Sequence, residues 1–425
     1  MRILLSAYSC DPQRGSEPGV GWNVVQQAAR FHDVWVLTHN EGREGIIAAL
    51  AKQQIPNVHV SFVDFPPWAL FWKKDRRGQR LHYYLWQLAA FFKARALHRR
   101  VGFDLIHHVT FVQYAVPSYM ALLPVSFLWG PVGGGESTPP ALWWSLSPRG
   151  KIFEVLRMLA RKMGEFDPFV RMTALRASIG LATTPETQSR LQALGCRHVS
   201  VVPAVGLGKD EIQTLSKIPA RRGGKFRVLS VGRLMHFKGC HLGLRAFAKF
   251  KRQFPDCEYW LVGDGPEKKR LQNLARALHI EDAVKFRGNI PRDEVLETLA
   301  DCDVLLHPCL HDSGGWASLE AMAAGRPVIC LDVGGPALQV TNETGIKVKA
   351  DSIDGAVKGL ANAITQLASD PDLRIRMGNA SRRRVEEHFA WHRKGEYMSM
   401  IYENILSRRN VVPPNAVCAS DPHLD

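Results

Sequence analysis

The sequence predicts an α/β protein made of two doubly wound parallel-sheet domains. Three observations carry that reading. Short apolar runs alternate with helical patterns through the first half, the rhythm of βαβ units. The rhythm stops over residues 206–225, where Gly, Lys, Arg, Pro and Ser gather without periodicity, and then restarts. At 425 residues the chain is long for one domain and natural for two.

Taken in order, strands are expected at Arg2–Ala7, Val34–Thr38, Val58–Val63, Asp104–His107, Val125–Trp129, Gly180–Thr184 and Val199–Pro203. Helical patterns sit between them, for example Gly21–Phe31 and Glu186–Leu194. Beyond the linker come strands at Arg227–Val231, Tyr259–Val262, Val284–Phe286, Val304–Leu306 and Val328–Leu331. Helices are expected at Cys240–Phe254 and Lys268–Leu278, and from near Arg292 and Trp316. Three polar, helix-prone segments follow, Asp354–Ala368, Pro371–Phe389 and Trp391–Leu406. The expected domains are therefore 1–205 and 226–390, joined by a linker at 206–225 and followed by a helix at 391–408. Residues 409–425, with Pro-Pro just ahead of mixed polar residues, read as a loose tail.

Hydrophobic residues at 46% supply two cores, and charged residues at 22% an ordinary soluble surface. The first apolar run is too short for a signal segment, and no stretch approaches the roughly 18–20 apolar residues of a spanning helix. Eight cysteines without a Cys-x-x-Cys pair favour free thiols in a reducing compartment, so a cytoplasmic protein is expected.

A net charge of +15 calls for an anionic partner: nucleic acid, an anionic membrane or a phosphorylated small molecule. Lys73, Lys74, Arg76, Arg77, Arg80, Lys93, Arg95, Arg99 and Arg100 crowd one region, interleaved with Trp68, Phe71, Trp72, Tyr83, Tyr84, Trp86, Phe91 and Phe92. A second such stretch runs from Trp143-Trp144 through Arg157, Arg161 and Lys162. Basic and bulky aromatic residues on helices suit an anionic membrane interface. An aromatic core beneath a solvated basic face would have the same composition. No nucleic-acid motif is present, and no nucleic-acid partner is expected.

The chemistry concentrates at Asp312-Ser-Gly-Gly-Trp-Ala-Ser-Leu-Glu320, which sets two carboxylates eight residues apart across a glycine-rich turn opening a helix. Glycines let a ligand approach the backbone, and the helix start offers unpaired N–H groups to an anion. A polyol joined to a phosphate fits, and a nucleotide sugar is such a molecule. Upstream, Gly232-Arg233 through Lys238-Gly239 follows a strand and opens another helix.

These motifs resemble the signature of the retaining glycosyltransferases of GT-B fold, family 4 (glycosyl transferases group 1). The resemblance extends over most of the chain and implies two Rossmann-like domains facing a cleft. It implies a metal-independent enzyme, without a cofactor, that moves a hexose from a UDP- or GDP-linked sugar. The acceptor class it implies is a lipid-linked glycan or polysaccharide of the cell surface. In such enzymes the departing phosphate is thought to take the acceptor's proton on the same face.

Carried over, Arg233 and Lys238 hold the donor diphosphate, Glu320 grips the ribose, and Asp312 contacts the transferred sugar. The loop Ser313, Gly314, Gly315 and Trp316 offers backbone N–H groups, with Trp316 equally suited to core packing. Asp312 is one methylene shorter than the family's Glu, and Ser313-Gly314-Gly315-Trp316 replaces its Gly-aromatic-Gly run. In the first domain Gly19 matches the second glycine of a family Gly-Gly turn whose first position is Pro18 here. The family's Asp-x-x-His-x-His becomes Asp104-Leu-Ile-His107-His108-Val109. Neighbouring strand residues face opposite ways, so one of His107 and His108 is expected to face the ligand, and His108 is chosen.

Gly130-Pro-Val-Gly133-Gly134-Gly135-Glu136 reads as a loop for the acceptor or as plain turn geometry. Asp301-Cys302-Asp303 has the form of a metal-binding Asp-x-Asp but stands at a helix-to-strand junction, where Asp bonds locally; no metal is expected. Gly263-Asp-Gly265 lacks the third glycine of a dinucleotide fingerprint. A second functional class is a non-catalytic GT-B protein that binds sugar nucleotides or protein partners.

Overall fold

The computed structural model describes residues 1–53, 55–66, 78–221 and 223–407, the side chain of Arg80 excepted. Trp68, Phe71, Trp72, Lys73, Lys74, Arg76 and Arg77 of the first basic-aromatic stretch lie outside the described residues, as do Cys418 and the rest of the expected tail.

Two all-parallel sheets organise the chain. The first has seven strands: β1 (Arg2–Ala7), β2 (Asp33–Thr38), β3 (Val58–Phe62), β4 (Leu105–Thr110), β5 (Ser126–Val132), β6 (Ile179–Ala182) and β7 (Val199–Val201), in the order β3-β2-β1-β4-β5-β6-β7. The second has six: β8 (Phe226–Val231), β9 (Cys257–Val262), β10 (Val284–Gly288), β11 (Val304–His307), β12 (Val328–Leu331) and β13 (Gly345–Val348), in the order β10-β9-β8-β11-β12-β13. This is the doubly wound plan in both halves. The strand order reverses between β1 and β4 and again between β8 and β11, and ligands in such sheets bind beyond the carboxyl ends of those strands.

Central strands are mostly apolar and buried because helices cover both faces. Every residue of β4, β9, β11 and β12 is buried. The first core gathers Leu4, Trp86, Ile106, Phe127 and Trp129; the second gathers Phe247, Phe250, Tyr259, Leu306 and Leu360.

Two compact units result. One comprises residues 1–135 and 159–205 with the helix Trp391–Leu406; the other comprises 136–158 and 206–390. Residues 136–158, expected in the first domain, thus belong to the second. Polar bonds hold them there: Ser147 Oγ donates to Glu267 at 2.8 Å, Arg270 donates to the Ser145 carbonyl, and Glu154 is buried against His236 and His311.

The segment 206–225 is not a bare linker either. It contains the helix Lys209–Ser216, which buries Ile212 and Leu215 three residues apart on one face. The sequence sets no bounds for the helices Gln79–Val101 and Pro148–Phe166, and the helices Pro168–Arg176 and Gly334–Gln339 and the strand β13 are not among the elements expected from it. The helix Trp391–Leu406 packs on the helix Ser16–Ala29, with His32 Nε2 2.9 Å from Ser399 Oγ and Tyr402 OH 2.8 Å from His107 Nδ1.

In the helix Gln79–Val101 the aromatic half is core rather than surface. Tyr83 and Trp86 are buried, and the Trp86 indole donates to the Val63 carbonyl at 2.8 Å. Lys93, Arg95, Arg99 and Arg100 are exposed, so this helix is an aromatic core under a solvated basic face, with Phe92 its exposed aromatic exception. The seven described cysteines are buried and unpaired.

Gly239 joins the two switch-point loops of the second sheet. Its φ is +64°, and a Cβ there would lie 1.7 Å from the Pro308 carbonyl oxygen. Gly239→Ala is expected to destabilise the protein by about 3 kcal/mol, read as a lower urea midpoint at unchanged slope. An unchanged midpoint would show that the loops need no such approach.

Candidate functional site

The second sheet positions the acidic and basic motifs at one switch point. β8 leads into the loop Gly232–Gly239, and β11 leads into the loop Pro308–Gly315. The Leu310 amide donates to the Phe237 carbonyl at 2.7 Å, which ties the loops side by side. Lys238 and Asp312, 74 residues apart, therefore meet: Nζ lies 2.5 Å from Oδ2. About a fifth of each side chain is exposed, 20% for Lys238 and 18% for Asp312, so the pair sits at a surface that a ligand can reach. A shallow cavity beside them is walled by Gly232, Leu234, Lys238, Cys240, His307 and Pro308.

Asp312 reaches Lys238 although its side chain is shorter than the family's Glu. Burial would push its carboxyl up, but Lys238 and His307, whose Nε2 is 3.5 Å from Oδ2, hold it well below the ordinary range. Burial likewise opposes the charge on Lys238, and the anionic neighbour more than restores it. The pair is an ammonium facing a carboxylate.

Oδ1 of Asp312 accepts from the Gly314 amide at 3.1 Å and the Gly315 amide at 3.4 Å. These two N–H groups, expected to be open to a ligand, are thus turned onto Asp312, their nearest anion. Gly315 starts the helix Trp316–Ala323 at φ +68°, and a Cβ there would lie 2.8 Å from Gln339 Oε1. Gln339 in turn donates to the Gly314 carbonyl at 2.5 Å, and the Gly335 amide donates to the Asp312 carbonyl at 2.7 Å. The Gly334–Gln339 helix is thereby the floor of this loop. Trp316 is half-buried at the first helical position.

Glu320 lies in the same helix and is 5% exposed. Its Oε1 accepts from Arg292 Nη1 at 2.7 Å, and Arg292 also pairs with Glu211. Burial raises the Glu320 carboxyl above its usual value, an effect that Arg292 only partly offsets. Neither Arg292 nor Glu211 was read as a site residue, because the chain gives no local sign of a pairing across 28 or 81 residues. Arg233 stands apart: it is exposed, and among the described residues its guanidinium makes no ion pair or hydrogen bond.

In the first unit, Gly19 is the fourth residue of the helix Ser16–Ala29 and is buried. A helix leaves amides unpartnered only up to its third residue, which here is Pro18. Proline loses no bond there, so Pro18 in place of the family's glycine costs little. The open amides of this helix are those of Ser16 and Glu17, ahead of Gly19.

His107 and His108 are both buried, because β4 lies mid-sheet and is covered on both faces. His107 bonds Tyr402 and the Gly130 carbonyl, and burial pulls its pKa down to about 4. His108 Nε2 lies 3.0 Å from Tyr83 OH, which also accepts from Gln87. With that phenol donating to Nε2, the ring proton stands on Nδ1, beside the Thr110 backbone. Burial and His107 lower the His108 pKa to about 3, so the ring is neutral and presents a donor rather than a base.

The remaining motifs are structural in this geometry. Gly135 donates to Thr187 Oγ1 and approaches its backbone, which packing alone explains. Gly263 and Gly265 lie against the carbonyls of Gly232 and Leu234. Asp303 accepts from Arg221 at 2.5 Å and from the Arg227 amide at 2.8 Å, tying together the starts of the central strands β8 and β11.

Among the described residues three groups could bring metal-ligating atoms together: His39-Asp64-His82, Glu154-His236-His311 and His307-Cys309-Asp312. The third is poorly suited. Burial raises the Cys309 thiol to about 12, and its S–H donates to the carbonyls of Phe237 and His311.

Residues 211–384 match the family described as glycosyl transferases group 1. The chain is 29% identical over 252 residues to 2-deoxystreptamine glucosyltransferase of Streptomyces kanamyceticus, covering 56% of this chain and 64% of that one. It is 30% identical over 254 residues to the putative colanic acid biosynthesis glycosyltransferase WcaL of Escherichia coli K12, covering 57% and 61%. The match thus spans less than two thirds of these relatives. The crystal structure of Anabaena Alr3699/HepE in complex with UDP superposes with a TM-score of 0.60 at 20% identity, covering 95% of this chain and all of that one, and shares its GT-B fold.

A pH titration checks the ion pair. The Asp312 carboxyl titrates near 3.8 when unfolded and lower when folded. Its stabilisation is therefore complete above about pH 5, begins to fall as pH drops through 3.8, and is lost as pH falls through the lower folded value. The urea midpoint of Asp312→Asn should decline less than that of the parent between about pH 6 and pH 3. Parallel declines would mean that Asp312 is not held ionised.

Proposed function

We propose that the protein is a retaining hexosyltransferase, a reading that starts from the match of residues 211–384 to the glycosyl transferases group 1 family. Its donor is a UDP- or GDP-linked sugar, and its acceptor is a lipid-linked glycan or polysaccharide in cell-surface glycan assembly. The observation that carries this reading is the 2.5 Å Lys238–Asp312 pair at the switch point of the second sheet, with Glu320 in the adjoining helix.

A diphosphate entering beside Gly232 offers Lys238 a second anion. Lys238, with Arg233 from the same loop, then neutralises the charge that grows on the leaving phosphate. Asp312, relieved of part of its pairing, accepts a hydroxyl of the transferred sugar. Glu320 takes the ribose diol once Arg292 moves aside or shares it. The Gly314, Gly315 and Trp316 backbone lines the sugar side. Retention follows if the departing phosphate takes the acceptor's proton on the face it leaves, with no metal or cofactor required. The names of the relatives and the UDP complex of the Anabaena protein support a nucleotide-sugar donor.

The lipid-linked acceptor is supported by the helix Pro148–Phe166. It exposes Ile152, Phe153, Leu156, Met163 and Phe166, and Lys151 lies 4.3 Å over the exposed Trp144 ring. Apolar side chains beside cations fit the cytoplasmic face of an anionic membrane. Among the described residues no helix is long and apolar enough to cross one.

Glu320→Ala should abolish calorimetric binding of the donor, Lys238→Ala should lower turnover by roughly 10²–10³-fold, and Asp312→Asn should slow transfer more than it weakens nucleotide binding. Full activity in all three variants would end the enzyme reading. Ile152→Ser with Leu156→Ser should release the protein from phosphatidylglycerol vesicles in co-sedimentation; undiminished binding would refute the membrane part.

A further inference from the structure

One buried carboxylate outside the proposed chemistry touches both loops that carry it. Glu154, on the helix Pro148–Phe166, is 2% exposed. Its Oε1 lies 3.0 Å from His236 Nε2 and 3.0 Å from His311 Nε2. His236 stands two residues before Lys238, and His311 immediately precedes Asp312. Arg157 donates to Oε2 at 3.2 Å and lies 3.4 Å from His311 Nδ1. Phe237 stacks on the His311 ring with centroids 4.7 Å apart.

The proton positions follow from the donors. A guanidinium only donates, so His311 Nδ1 is the acceptor and the ring proton sits on Nε2, aimed at Glu154. A metal would need that nitrogen's lone pair, and Arg157 beside the carboxylate adds a repelling charge. The cluster is arranged for hydrogen bonding. Burial would push the Glu154 carboxyl up, but His236, His311 and Arg157 more than offset it and keep it ionised.

We propose that Glu154 is a positioning residue: one carboxylate oxygen pins the loop 232–239 to the loop 308–315 and so sets the Lys238–Asp312 separation that receives the diphosphate. This rests on the reading of that pair as the donor site. Glu154 touches no reacting atom. Its loss would leave two buried imidazole N–H groups unpaired and free the loops to drift apart.

The test is calorimetric titration of UDP and GDP into the full chain and three variants, with thermal melts alongside. Glu154→Leu should bind the preferred nucleotide about tenfold more weakly. Glu154→Gln, whose amide oxygen still accepts from both rings, should stay within about threefold. Ser147→Ala cuts another buried bond of the same segment, to Glu267, and should lower the melting temperature without changing affinity. Should Glu154→Leu fail to fold, His311→Phe carries the same expectation of weakened binding. Wild-type affinity in the Leu variant, equal losses in Leu and Gln, or an equal loss in Ser147→Ala would overturn the proposal. So would one zinc per chain bound by wild type and lost with Glu154→Leu. If wild type binds neither nucleotide, the donor-site reading itself fails, a result distinct from the others, and the positioning role falls with it.

Discussion

The contact between the Lys238 ammonium and the Asp312 carboxylate organises the second unit's strand-end surface. It joins two loops that the chain separates by 74 residues. A half-buried ion pair gains modest net stability, because desolvation cancels much of the Coulomb attraction. Removing one partner is costly, since the other is left as an uncompensated charge. An incoming anion avoids that cost, because it supplies Lys238 with a replacement partner. On the proposed reading the pair is a ligand site held ready by its own members, and Asp312 is freed for the sugar as the diphosphate arrives.

Everything around the pair serves its geometry. The reversal of strand order between β8 and β11 separates their connecting helices and leaves a crevice at the strand ends. Gly239 lets the loops touch at Pro308, and Gly315 starts the helix that carries Glu320. Glu154 reaches both loops from residues 136–158. Arg292 occupies Glu320 in the same way that Lys238 occupies Asp312. Both acidic residues of the motif are thus paired with a nearby cation.

Much of this was legible in the sequence where the signal is local. Buried parallel strands are short apolar runs, and Val304–Leu306 or Val328–Leu331 could hardly be read otherwise. The Asp312…Glu320 spacing and the glycines announced a loop opening a helix. What escaped is non-local. Only Ile212 and Leu215 mark the helix in the expected linker, too few for a periodic signal. Nothing in residues 136–158 states which sheet they join, because their bonds to His236, His241 and Glu267 come from distant segments. His107 and His108 do alternate, toward Tyr402 and toward Tyr83, but β4 is covered on both faces, so alternation alone does not mark which ring meets a ligand. The helix Gln79–Val101 likewise hid its division between core and solvent, as a helix shows one face to each.

The central claim is that a nucleoside diphosphate takes Lys238 from Asp312. A crystal structure of the protein soaked with UDP tests it most directly. The account predicts Lys238 Nζ about 3 Å from a phosphate oxygen and Glu320 on the ribose. UDP bound elsewhere, with the Lys238–Asp312 and Arg292–Glu320 pairs both intact, would contradict it.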